Sequence, residues 1–271
     1  MTAIALPRSA HRRLSLDPRF SAAAVILSVL AVLLIWPLMA DPRSFGGHSI
    51  WLKPQKFAVS LAVYTATLAL FAHWLPERLK VSKLFAAYVW VVLSAIGLEM
   101  IWLIAAAALG VASHFNEVPP WNTFYSMAGV LAVILTSAAA VFGIAILLGR
   151  HMDPALRLGL GLGLILTFVL TVITAGYMGG NGSHHVGIAG PDDPSWPVFG
   201  WSLTVGDLRP AHFLATHAMQ AVPAAALLVV VAGIRRPRAW VAAASVLYTA
   251  ATVGAFVEAL AGKPFLSTAI G

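Results

Sequence analysis

Long apolar runs separated by short polar or basic breaks dominate this chain. Seven runs stand out, at about 21–40, 56–76, 84–109, 123–149, 157–178, 210–233 and 238–261. Each is near or above the ~20 residues that a helix needs to cross a bilayer. The short alternating segments of a closed β-barrel are missing from the pattern. The pattern therefore predicts an all-α integral membrane protein, a bundle of seven transmembrane helices. A basic arm (1–20) precedes the membrane domain (21–261), and a short tail (262–271) follows it. The longest connection, about 179–209, carries Gly179-Gly180-Asn181-Gly182 and Pro191, Pro194 and Pro197, which predict irregular backbone. Asp153-Pro154 and Asn122-Thr123 mark helix starts. Pro37 and Pro223 fall inside spans, and Gly159 with Gly163 form a small-xxx-small pair suited to close helix packing or to a homo-oligomer contact.

Composition sharpens this picture. Of 271 residues, 60% are hydrophobic and 10% charged, against about 25% charged in a soluble domain. The net charge of +7 does not imply nucleic acid, because the basic residues lie between apolar runs instead of on one soluble face. With no cysteine, disulfides, thiolate metal sites, Fe–S clusters and covalent haem attachment are excluded. The first run is longer than a signal-peptide core and ends without a small-x-small cleavage site, so it is expected to be a retained span.

The basic residues also predict orientation. One side of a seven-span chain collects Arg8, Arg12, Arg13, Arg19, Arg78, Lys80, Lys83, Arg150, Arg157, Arg235, Arg236 and Arg238. The other has Arg43, Lys53, Lys56, Arg209 and Lys263. Positive residues favour the cytoplasm, so the N-terminus is expected inside and the C-terminus outside, in a bacterial inner (plasma) membrane.

Polar positions that interrupt the runs carry the candidate chemistry. In Gly206–Pro223, at about 100° per residue, Arg209, His212, Thr216 and Gln220 share roughly one 80° stripe, with His217 about 60° further round. The stripe descends about 16 Å, and groups at that depth should face other helices or a wet cavity. Glu99 lies ~15 Å into the third span, where a carboxyl group can be a proton acceptor, a metal ligand or a histidine's partner. His48, Trp51, Lys53 and Lys56 cluster at the start of the second span. Lysines at a helix N-terminus oppose the helix dipole, which suggests an anion between them and Arg209, or else pairing with Asp41 and Asp207. Six of nine histidines fall on the expected outer side: His48, His114, His184, His185, His212 and His217. His212 and His217 are five apart, which is wrong for two ligands on one helix face, so a shared zinc, copper or iron needs ligands such as His114 from elsewhere. A b-type haem on His217 is a further possibility of this pattern.

These residues predict an outward-facing polar pocket between the second, third, sixth and seventh spans. The leading expectation is a metal- or haem-assisted membrane enzyme or redox protein acting on an anionic small molecule or lipid headgroup. Glu99, His212 and His217 are its catalytic candidates. Lys53, Lys56, Arg209, Gln220, His48 and Trp51 are its binding candidates, and His114, His212 and His217 its metal candidates. A proton- or ion-coupled transporter or channel and a non-catalytic accessory subunit are the alternatives. The apolar Leu227–Ala232 segment favours a one-sided site over a through-path. No P-loop or dinucleotide fingerprint is found, and the seventh run lacks the lysine a retinal protein needs.

Overall fold

The computed structural model describes residues 14–45, 48–150, 152–190 and 193–266. Arg8, His11, Arg12, Arg13, His151, Asp192 and the tail beyond residue 266 lie outside the described residues. Within them the chain is helical except for short strands and connections. Its elements are α1 (Pro18–Leu33), α2 (Ile35–Ala40), β1 (Ser44–Phe45), β2 (His48–Ser49), α3 (Leu52–Phe71), α4 (Glu77–Lys80), α5 (Lys83–Leu109), α6 (Trp121–Leu148), α7 (Pro154–Gly180), β3 (His185–Val186), β4 (Gly206–Asp207), α8 (Arg209–Val231) and α9 (Pro237–Leu260). Seven helical segments are long and apolar enough to cross a membrane: 18–40, 52–74, 83–109, 121–148, 154–180, 209–231 and 237–260. They coincide with the seven apolar runs and are compatible with a multi-pass membrane protein.

Local chemistry sets several boundaries. The Asp17 carboxylate accepts from the Arg19 and Phe20 N–H groups, with Pro18 opening the helix. Asp153 does the same for Ala155 and Leu156 ahead of Pro154. In both places a side-chain oxygen satisfies helix donors that have no intrahelical partner. α5 ends where Gly110 takes the left-handed conformation (φ 70°), and the Val111 N–H turns back to the Ala106 carbonyl. The first span breaks at Leu34, between α1 and α2, just before Pro37, which cannot donate to a carbonyl one turn back. Pro223, by contrast, stays within an unbroken α8.

Packing divides the bundle into two groups joined by α6. α3 packs on α1 and α5; α7 packs on α8, and α9 covers both. α6 contacts α5 on one side and α7 on the other. The α7–α8 contact depends on missing side chains. A Cβ on Gly159 would lie 2.3 Å from Ala226 Cβ, and one on Gly163 would lie 2.7 Å from Pro223 Cδ and 2.8 Å from the Ala218 carbonyl oxygen. The two glycines thus serve a contact inside one chain, and their surface is already covered. α3 and α8 face each other with little direct packing. Gln220 Nε2 donates to Thr67 Oγ1 at 3.0 Å across that gap. Lys56 Nζ reaches the Val198 carbonyl at 3.2 Å above it.

Candidate active site

The polar residues converge at one end of the bundle, beneath the 181–208 connection. That connection is held by a buried carboxylate. Asp207 in β4 is 1% exposed and accepts from the Ser202 N–H (2.8 Å), the Arg209 N–H (2.9 Å) and the Arg209 guanidinium (2.6 Å). β4 pairs antiparallel with β3, placing His185 opposite Asp207. Arg209 Nη2 also donates to the Gly200 carbonyl at 2.6 Å. Burial pushes the Asp207 carboxyl up, but hydrogen bonds and charge from Arg209 outweigh it and hold the group below the usual carboxylate range. Gly206 lets this corner close against α9, since a Cβ there would meet the Ala259 carbonyl oxygen at 2.1 Å. Arg209 is therefore first a brace of the connection, with Nε and Nη2 committed to protein acceptors.

Below the brace, Lys53 enters from the start of α3 and Glu99 from midway along α5. Glu99 is 2% exposed, and its Oε2 has no hydrogen-bond partner among the described residues. The Lys53 ammonium is within electrostatic reach of Glu99. No ion pair within 4.0 Å joins them among the described residues. A buried carboxyl oxygen without a donor calls for a polar partner that the described residues do not supply.

Two histidines, His114 and His184, lie within electrostatic reach of Lys53. His114 lies in the α5–α6 connection, packed against Phe57 (ring centroids 5.9 Å apart) and Tyr125 (5.5 Å). Its Nδ1 is 3.2 Å from Ser113 Oγ. Burial, with Lys53 nearby, pushes His114 down to about 3. Burial and the Arg209 charge push His184 down to about 3 as well. Both imidazoles are neutral at pH 7. His212 Nδ1 is 3.1 Å from Thr174 Oγ1 of α7. The Thr174 hydroxyl already donates to the Leu170 carbonyl at 2.8 Å, so His212 Nδ1–H is the donor and Nε2 keeps its lone pair. His217 Nδ1 likewise donates to the Phe213 carbonyl at 2.7 Å, and its ring stacks on Phe213 with centroids 4.0 Å apart.

Of the expected site residues, Lys53, Glu99, His114 and His212 come together, with His184 beside them. His217 makes no contact with Glu99; between them lie His212, His114 and Lys53, each within electrostatic reach of the next. Gln220 lies deeper, with a buried Oε1 that has no partner among the described residues. His48 is exposed on β2, and Trp51 Nε1 donates to Asp41 at 2.8 Å. Asp41 pairs with Arg43 and not with a lysine, and those bonds hold its carboxyl well below the usual range. The fifth span contributes Thr174, while the seventh, expected to line the pocket, braces α8 from behind through Tyr248 Oη, which donates to the Leu214 carbonyl at 2.7 Å. Thr174 and Tyr125 are additions. Thr167, Thr171 and Thr174 repeat at helical spacing and are all buried, a signal legible beforehand. His114, His212 and His217 do not form a metal set: among the described residues no three His, Asp or Glu side chains are grouped to hold an ion.

Two neutral half-buried histidines make the fold acid-sensitive. A histidine near 3 when folded and about 6.5 when unfolded contributes stability that is complete above pH 6.5 and lost as pH falls. Chemical denaturation between pH 7 and 5 is expected to show a loss of up to about 1.4 kcal/mol per pH unit for each histidine. His114→Gln should flatten that slope, and an unchanged slope would contradict the assignment.

No protein family, curated protein or solved structure matches this chain.

Proposed function

We propose that the chain is a membrane enzyme that performs acid–base chemistry on a membrane-resident amphiphile with an anionic head. The observation that carries the reading is the buried, unpartnered Glu99 Oε2 with the Lys53 ammonium in reach but not in contact. Lys53 binds the anion, with Lys56 assisting from one turn further along α3. Glu99 transfers a proton to or from the bound head, with the free Nε2 of His212 as a further proton acceptor beyond Lys53 and His114. His217 Nε2 lies one step further towards the aromatic roof. That roof favours an amphiphile over a soluble anion: Phe199 and Trp201 stack there and Phe213 meets both edge to face, with Val198 and Phe199 exposed. The residues gathered here do not supply a three-ligand metal set, and no step is assigned to a metal or haem. The excess of basic residues on the opposite side supports an outward-facing site in a bacterial plasma membrane.

The test is what the protein retains on purification. Mass spectrometry of lipid extracts from wild type and Lys53→Met is expected to show an anionic amphiphile depleted at least about tenfold in the variant, equivalent to ~1.4 kcal/mol of binding. Equal retention by a folded Lys53→Met protein, or no anionic amphiphile in either sample, would sink the reading.

A further inference from the structure

A cavity opens beside the site, bordered by Tyr125, which packs against His114. Its volume is about 340 Å³, at the small end of the range for ligand pockets. Phe115, Glu117, Asn122, Tyr125, Gly179 and Gly180 line it, and neither lysine nor arginine is among its lining residues.

Its electrostatics favour a cation. Glu117 supplies a full negative charge. Gly179 and Gly180 end α7, where the carbonyls carry about half a negative charge and no basic residue occupies the last turn. The start of α6, at Trp121, opposes this with about half a positive charge. The two helix ends roughly cancel, and the carboxylate decides the sign. The walls are aromatic: Phe115 and Tyr125 meet edge to face with centroids 5.7 Å apart. Such faces attract a cation whose own surface is apolar.

Phe115 provides an independent sign of use. Its φ is +55°, the left-handed region that a bulky residue rarely adopts. Glycine would take that conformation without steric cost. An aromatic ring held there at the expense of backbone strain, facing a cavity, points to a ring required by a ligand.

We infer that the Phe115–Glu117–Tyr125 cavity binds an organic ammonium group. A free amine and the ammonium of a zwitterionic lipid head share that chemistry. The site is independent of the acid–base reading, since it uses neither Lys53 nor Glu99.

Choline is the probe, titrated by calorimetry into protein held in phosphatidylglycerol nanodiscs, which present no ammonium group of the choline type. Saturable binding is expected in wild type and in Lys53→Met, and about tenfold or greater weakening in Glu117→Gln. Phe115→Gly is the decisive variant. It relieves the backbone while removing the ring, so its melting temperature should hold or rise as choline binding weakens by a similar factor. Adding phosphatidylcholine to the discs assigns the source: competition with choline identifies a lipid head, and absence of competition identifies a free ammonium compound. No choline binding to folded wild type would overturn the inference. So would choline binding as tight as wild type in both Glu117→Gln and Phe115→Gly.

Discussion

Asp207→Ala is expected to destabilise the protein by about 3 kcal/mol, the order found when one partner of a buried ion pair is removed. The carboxylate is fully buried and holds three separate donors: the Ser202 N–H, the Arg209 N–H and the Arg209 guanidinium. Alanine leaves all three without that acceptor and the cation without its counter-charge. Its folded pKa is lowered, so the carboxylate's contribution is present above the unfolded value near 3.9 and lost as pH falls through the folded one. Denaturant unfolding at pH 7 should therefore show the full difference between wild type and variant, and the two should converge only below about pH 4. A difference under about 1 kcal/mol at pH 7 would show that the 181–208 connection is held by other contacts.

Glu99→Gln should behave in the opposite way. Oε2 has no hydrogen-bond partner among the described residues, so the amide breaks no bond there. Removing a buried charge helps, and losing a counter-charge near Lys53 hurts, so stability should move by no more than about 1 kcal/mol. Turnover should fall by about 10²- to 10⁴-fold, the usual contribution of a positioned proton-transfer group. The measurement is the ratio of unconverted to converted anionic amphiphile in membranes of cells expressing each form. An unchanged ratio with a folded Glu99→Gln protein would remove Glu99 from the chemistry. The contrast separates a carboxylate that holds the fold from one that the fold holds for use.

The seven spans were legible because crossing a bilayer demands length and apolarity, and both are local properties of sequence. The cap at Asp153-Pro154 was legible for the same reason. The site was legible only by depth and face. Helical spacing put His212 on a polar stripe but could not name Thr174, because a partner on another helix depends on how α7 and α8 approach. That approach is set by Gly159 and Gly163, whose pairing is visible but whose partner surface is not. Arg209 read as an anion clamp, since its engagement with the Gly200 carbonyl requires a loop that returns from nine residues earlier. The left-handed Phe115 has no sequence signature, because a strained non-glycine residue looks like any other.

Glu99 is the deepest carboxylate among the described residues, and α5 and α6 continue past its level with largely apolar side chains. A transmembrane voltage falls over the whole bilayer, at about 2.3 kcal/mol per elementary charge per 100 mV. A proton moving between Glu99 and the loop-covered face would cross only about half of that drop, ~1 kcal/mol. The proposed proton transfer at Glu99 would thus respond to membrane voltage at about half the strength of a complete crossing.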